Sequence, residues 1–464
     1  MFRLKKKFAL TGAAALTFVA LACQAGETGE ATTSSATSPA PAVAAAAPTS
    51  VPPTPVPPTP IPPTPIPISE LVTTPTRIAE VKPILEPTAP SIASPTPELA
   101  NTPVPTPNAS TAPQRLTYGW DQTDFTKHSV PFSEIFSGGP PRDGIPPIDS
   151  PKFIPVSDTP DYMNDNEPVV TLEINGESKA YPVAILMWHE IVNDVVGGVP
   201  VTVTFCPLCN TAIVFDRRLG DTVYDFGTSG NLRKSDLVMW DRQTESWWQQ
   251  INGEAIVGEL TGAKLTFIPA PMVSWADYRD ATPDGELLSR ETGFGRNYNR
   301  APYTGYDELD NTPFLFSGQI DDKLPAMERV VGMDSVSAGV AYPFSVFESV
   351  PIVNDTVDDQ DIVIFYAPET DSGFTAFNSS DPRVIGSTGV YDPNVDDQKL
   401  TFKLDSGDIV DEQTGSVWNM LGEAIEGELA GKQLDSIVHA NHFWFAWSAF
   451  FPESELRTAE FFGS

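Results

Sequence analysis

Two cysteines separated by a proline and a leucine, Cys206-Pro207-Leu208-Cys209, carry the most chemically pointed spacing in the chain. Thiolates that close together can ligate one soft metal ion or exchange a disulfide with a partner. The flanking residues help to separate these uses. Val199 to Phe205 alternates β-branched side chains, and Thr211 to Phe215 does so again, so the motif is expected in a tight turn between strands. A thioredoxin-like motif would instead open a helix, whose N-terminus lowers the thiol pKa. A strand-flanked turn suits a metal knuckle, which must draw its remaining ligands from elsewhere. His189 and Met239 are available, and thiolate, imidazole and thioether together favour copper over hard cations because they are soft donors. Zinc held by Cys206, Cys209 and His189 with an open fourth position is the other expectation. Plainer roles compete: a short-loop disulfide, a core position for His189 beside Trp188, and gap filling by Met239. A haem attachment is disfavoured, since Asn210 stands where it would need histidine.

A second cluster runs Ser229-Gly230-Asn231-Leu232-Arg233-Lys234-Ser235, followed by Asp241-Arg242 and Thr244-Glu245-Ser246. Small polar residues around a glycine suggest a loop of exposed amides, so Asn231, Arg233 and Asp241 are candidates for binding an anionic or polar ligand. Asp241 and Ser246 could equally close a hydrogen-bonded turn. A serine nucleophile would need a base, and His189 is the only histidine in this stretch, so a hydrolase is weakly supported.

The elements that must position these residues read mainly as β. Val169 to Leu172 and Lys179 to Tyr181 flank Asn175-Gly176, a hairpin signal. Met272, Trp275 and Tyr278 fall at helical spacing within Pro271 to Asp280, which predicts a short closing helix with those residues in the core. The chain also matches itself. Ala180-Tyr181-Pro182 recurs as Ala341-Tyr342-Pro343, and Ile191-Val192-Asn193-Asp194 as Ile352-Val353-Asn354-Asp355. Gly253-Glu254-Ala255-Ile256 recurs as Gly422-Glu423-Ala424-Ile425, with Trp248 aligned to Trp418. Residues 165–288 and 328–457 therefore read as related halves. In the second, Cys206, Cys209, His189 and Met239 are replaced by Ala367, Thr370, Val350 and Ile409, while Asn193, Asp194, Asp241, Thr244 and Trp248 are kept. The joint loss of soft donors is the sharpest functional signal. The expected fold is α+β and β-rich, with two related β lobes each closed by a short helix. The lobes span residues 113–290 and 328–464, joined by a Gly/Tyr/Arg-rich loop at 291–327.

Ahead of the lobes, Arg3, Lys5, Lys6 and Lys7 precede an apolar run from Phe8 to Ala22, then Cys23. That is the pattern of a secretory signal, too short to span a bilayer, which needs about 20 apolar residues. Ala20-Leu21-Ala22-Cys23 resembles a bacterial lipobox, which would make Cys23 the lipidated first residue of an extracytoplasmic, membrane-anchored protein after removal of residues 1–22. Residues 23–112 are rich in Ala, Ser, Thr and Pro and read as a disordered stalk, extended at about 3.1 Å per residue where proline is dense. With 61 acidic and 28 basic side chains the formal charge is −33, which disfavours nucleic acid and anionic lipid as partners. The charge leaves open which protein or small molecule the protein meets.

Cys206-Pro207-Leu208-Cys209-Asn210-Thr211-Ala212, Trp188-His189-Glu190-Ile191-Val192-Asn193-Asp194 and Ser229-Gly230-Asn231-Leu232 resemble the bacterial and archaeal domain-of-unknown-function family numbered 3179. Asp241 to Gln250, Gly253 to Ile256 and Tyr298-Asn299-Arg300-Ala301-Pro302-Tyr303 fit the same pattern, which covers about residues 115–455. The resemblance implies that both halves form one domain unit and that the cysteine turn belongs to the family pattern. It implies no activity. The functional expectation is an envelope-anchored lipoprotein holding copper or zinc at Cys206, Cys209, His189 and Met239. A thiol–disulfide redox protein and a non-enzymatic extracellular ligand-binding or surface protein are the alternatives, and whether the protein is an enzyme is left open.

Overall fold

A computed structural model describes residues 112–334, 338–375 and 382–463, all within the unit Thr96–Ser464. The signal, the lipidation candidate Cys23 and all but the end of the stalk lie outside the described residues. Strands dominate and helices are few and short, so the chain is β-rich. Among the described residues no helix is long and apolar enough to cross a membrane.

Asn175 and Gly176, both at positive φ, join Pro168–Ile174 to Glu177–Pro182 in an antiparallel hairpin. Positive φ at both central residues gives the turn a twist that matches the strands. The Val183–His189 helix follows at once and stops because Glu190 takes a left-handed conformation at φ 58, its N–H returning to Leu186 O at 2.7 Å. That reversal launches a meander of Ile191–Val196, Val199–Cys206 and Thr211–Asp216, which Thr266–Ile268 completes as a four-stranded sheet. Gly197, at φ 54, is required at the first turn, since a Cβ there would lie 2.1 Å from Ile174 O.

A five-stranded sheet places Phe226–Arg233 beside Asp236–Asp241, then Trp247–Gln249 and Glu254–Val257, with Ile135–Ser137 at its edge. In the second half, Phe402–Asp405, Asp408–Asp411, Val417–Trp418 and Ala424–Glu426 form a four-stranded sheet in chain order. The halves are not separate sandwiches. One eight-stranded sheet runs through both, because Met272 of Met272–Ser274 pairs with Val170 on one side and Thr388 on the other. This pairing also shortens the expected helix at Pro271–Asp280. Strand geometry holds through Ser274, which caps the Trp275–Ala281 helix by accepting from Asp277 N–H. The Trp444–Phe450 helix follows the Ala440–Phe443 strand in the same way.

Several residues aligned between 165–288 and 328–457 make corresponding bonds. Asp241 accepts from Thr244 N–H at 2.7 Å and Trp248 Nε1–H at 2.8 Å; Asp411 accepts from Thr414 N–H at 2.6 Å and Trp418 Nε1–H at 3.1 Å. Tyr181 donates to Asp194 as Tyr342 donates to Asp355, at 2.7 and 2.8 Å. Asn193 and Asn354 each donate to a backbone carbonyl, of Phe226 and Phe402, at 2.8 Å. These side chains satisfy buried backbone and indole groups that would otherwise be costly to desolvate. The largest apolar cluster joins Phe205, Cys206, Cys209, Met239 and Trp248 of the first half to Phe443 and Phe445 of the second.

Candidate metal centre

The cysteine turn is the end of a hairpin: Cys206, the last residue of its strand, pairs with Thr211, the first of the next. Cys209 N–H returns to Cys206 O at 3.2 Å, and Asn210 takes φ 55 to reverse the chain. Asparagine tolerates that left-handed conformation better than most residues. The far side of the turn is held by the second half. Phe443 N–H donates to Cys209 O at 2.9 Å, Asn210 Nδ2–H to Asn441 O at 3.2 Å, and Thr211 Oγ1 meets His442 Nδ1 at 2.8 Å. Burial, reinforced by His439, pulls His442 down to about 3, so its ring is neutral in this contact. Above the turn sits the connecting loop, where Tyr306 OH donates to Leu208 O at 3.2 Å and itself accepts from Phe314 N–H at 3.0 Å.

Both sulfurs are free thiols, 1% and 0% exposed. A carboxylate joins them. Asp236, fully buried at the start of its strand, lies with Cys206 and Cys209 so that two sulfurs and one carboxylate oxygen are all within 4.8 Å of one another. Its Oδ2 accepts from Gln249 Nε2–H at 2.6 Å and Ile251 N–H at 3.0 Å, whereas Oδ1 has no hydrogen-bond partner. Glu190 is a second buried carboxyl in the same electrostatic neighbourhood. Burial pushes Asp236 up to about 6 against the donors Gln249 and Ile251 and the thiols of Cys206 and Cys209. Burial, then repulsion from Asp236, pushes Glu190 up to about 8. Burial likewise raises both thiols, and Cys206 adds to the rise at Cys209. Raised thiols are poor nucleophiles, since the thiolate is the reactive form. A group of four acids has been collected in the core, and no cation figures among the interactions that shift them.

The expected ligands distribute unevenly around this centre. His189 does not belong to it. Both ring nitrogens are taken, Nδ1 by Pro146 O and Nε2 by Tyr298 OH, each at 2.7 Å, and burial lowers its pKa. The left-handed Glu190 that ends the helix turns the chain, and it is the neighbouring carboxyl, not the imidazole, that is felt at the cysteines. Met239 shares the apolar cluster with the cysteines but lies three residues along the strand from Asp236, on its opposite face by strand alternation. Arg233 is spent on Glu134, at 2.7 Å, and Asn231 sits on an interior strand with its N–H donating to Ser229 Oγ. Asp241 closes its own turn, as described. The segment expected as an anion loop is strand through Arg233, and the side chains of Arg233 and Asp241 are engaged in these contacts. Cys23 lies outside the described residues.

Sequence reasoning passed over Asp236. It stands after the Lys234-Ser235 turn, where two non-glycine residues hold φ 52 and 69, so the hairpin carries no Asn-Gly signature to advertise it. The Gly/Tyr/Arg-rich connecting loop is pinned through Tyr298 and Tyr306 and roofs the turn.

No curated protein and no solved structure is matched by this chain. The model of a family described as "Protein of unknown function (DUF3179)" matches residues 142–454, a span that contains the cysteine turn, Asp236, Glu190 and the loop above them. The chain belongs to that family.

Proposed function

We propose that Cys206, Cys209 and Asp236 hold a borderline transition metal, zinc before copper, in an envelope-anchored lipoprotein. The observation that carries the reading is a convergent pair of buried thiols and a buried carboxyl, with no Lys or Arg of the described residues among the charges that shift them. Uncompensated buried acids are expensive, and a divalent cation offsets that expense by stabilising their deprotonated forms. The donor chemistry fits. Tetrahedral zinc with Zn–S of about 2.3 Å and Zn–O of about 2.0–2.2 Å spaces its ligand atoms roughly 3.5–3.8 Å apart, inside the 4.8 Å within which these three atoms lie. Replacing His189 by Asp236 shifts the preference from copper toward zinc, because carboxylate is the harder donor. In this reading the second half is a relative of the first that keeps the frame and has lost the ligands. Its strand Ala440–Phe443 serves as the wall behind the turn.

The test is elemental analysis of the full chain produced with zinc and with copper, together with Cys206→Ser, Asp236→Asn and His189→Gln variants. About one equivalent of metal is expected in the parent and in H189Q, and well under half in the other two. A parent without stoichiometric metal sinks the proposal, and loss of metal in H189Q restores the histidine to the ligand set. A thiol–disulfide role has one observation in its favour, the free state of both sulfurs. It requires the pair to reduce a test disulfide at neutral pH, which burial of both thiols opposes.

A further inference from the structure

The Ile191–Val196 strand of the first half is covered along its outer edge. The segment 143–149 runs beside it: Ile148 N–H donates to Ile191 O and Asn193 N–H returns to Ile148 O, each at 2.9 Å. On the neighbouring hairpin, Asp143 N–H donates to Thr228 O and the Thr228 hydroxyl to Ile145 O, both at 2.8 Å. Arg242 fixes the ends of the cover, meeting Asp149 at 2.8 Å and Asp143 at 3.8 Å. Beneath it, buried Asn193 ties the two hairpins together by bonding the N–H and the carbonyl of Phe226.

The Ile352–Val357 strand of the second half has the same tie and no cover. Asn354 bonds the N–H and the carbonyl of Phe402, each at 2.8 Å, yet Asn354 and Thr356 are exposed. This strand ends the eight-stranded sheet, and among the described residues no segment pairs with its outer side. The two-residue turn between Val357 and Gln360 decides which groups face out: Ile352, Asn354 and Thr356 direct their N–H and C=O groups away from the sheet. Natural edges are blunted by lysine, proline or a bulge, and Ile352–Val357 contains none of these. Leu404, 46% exposed, pairs with Ile409 as Thr228 pairs with Met239, so an apolar side chain replaces the hydroxyl that met the cover. Glu412 follows Asp411 as Arg242 follows Asp241, so an exposed acid replaces the cation that held it.

We propose that this open edge takes an extended segment of a partner protein as an added strand, an aliphatic run flanked by lysine or arginine. The outward N–H and C=O groups of Ile352 and Asn354 supply main-chain affinity, as those of Ile191 and Asn193 do for the cover. Charge sets the choice of partner. Where Arg242 receives two aspartates of its own chain, Glu412 matches a cation. Residues 328–464 carry 24 acidic and 6 basic side chains, a field that draws in a basic segment and repels a second copy of the same lobe. Proline is tolerated in the occupant, because the cover itself bonds these strands through the N–H groups of Asp143 and Ile148 and carries Pro146 and Pro147 between them.

The test is fluorescence anisotropy of the full chain with two labelled synthetic peptides built on the cover. One has the sequence of residues 142–150; the other carries Asp143→Lys and Asp149→Lys. A Kd of about 1 mM or tighter is expected for the lysine peptide and at least about tenfold weaker binding for the other. Methylating the backbone nitrogen at the Ile148 position removes the donor to Ile352 O and should weaken the lysine peptide by about tenfold or more. Glu412→Arg, at an exposed site, should reverse the preference between the peptides while metal content stays at the parent level. No binding by the lysine peptide, equal binding of both peptides, indifference to methylation, or an unchanged preference in E412R would each overturn the proposal. A dimer in sedimentation velocity that excess lysine peptide dissociates would make a second copy the occupant and overturn it too. The peptide comparisons use the unaltered protein and do not depend on the variant folding.

Discussion

Replacing Asp307 by alanine tests how the roof over the cysteine turn is held. Asp307 belongs to the connecting loop, is fully buried, and contacts the guanidinium groups of Arg329 and Arg383 while accepting from Ser372 Oγ at 2.6 Å. Arg329 is itself only 8% exposed, so the variant strands a buried cation. Removing one partner of a buried pair costs about 3–5 kcal/mol, mostly as the desolvation of the group left behind. Arg383 is 36% exposed and can turn to water, which places the expected loss near the low end, about 3–4 kcal/mol. For a chain of this size a change of about 1 kcal/mol moves Tm by roughly 2 °C, so D307A should melt about 6–8 °C lower in thermal circular dichroism. Glu291→Ala serves as control: its pair with Lys152 is 78% and 64% exposed, and the effect should stay within about 0.5 kcal/mol. Tyr306 stands next to Asp307 and bonds Leu208 O, so a loosened loop should also speed chelator access to the turn. A D307A midpoint within about 1 kcal/mol of the parent would refute the buried-pair reasoning.

Two further outcomes are expected. Glu167 is pushed from its ordinary 4.5 up to about 7 by burial and by Asp371, with Arg290 opposing. The folded state therefore binds this proton more tightly than the unfolded chain, and the associated stability is full below about pH 4.5 and lost as pH rises through 7. Discounting for partial exposure, the loss is about 2 kcal/mol, and urea midpoints at pH 5 and 8 should fall less in E167Q than in the parent. An equal fall in both would remove Glu167 as the cause. Asp241→Ala should destabilise by about 2–4 kcal/mol through the unpaired Thr244 N–H and Trp248 indole. A D241A urea midpoint corresponding to less than about 1 kcal/mol of change would refute the turn-closing role of the carboxylate.

The parts of the fold legible in the sequence are those written in short-range pattern. The Asn175-Gly176 hairpin, the β-branched runs on either side of the cysteines and the short helices after Ser274 and Phe443 all rest on local propensity. The Met272–Ser274 strand escaped because its alternation is too brief to stand out against helical spacing, and its pairing to Thr388 is fixed only by tertiary contact. The site divides the same way. The cysteines announce themselves by spacing. Asp236 carries no motif and becomes their neighbour only because its sheet packs against theirs, and Glu190 is presented by a single left-handed residue at a helix end. For His189 the chemical type was visible and the direction was not: the imidazole turns to Pro146 and Tyr298.

The contacts behind the cysteine turn come from Asn441, His442 and Phe443, separated from it by more than two hundred residues of chain. Until that distant strand docks, the carbonyl of Cys209, the Asn210 amide and the Thr211 hydroxyl lack the partners that hold the turn in the folded protein. The shape of the cysteine turn is therefore completed only by long-range closure of the chain, and a change in the Ala440–Phe443 strand is transmitted to the turn without touching a sulfur.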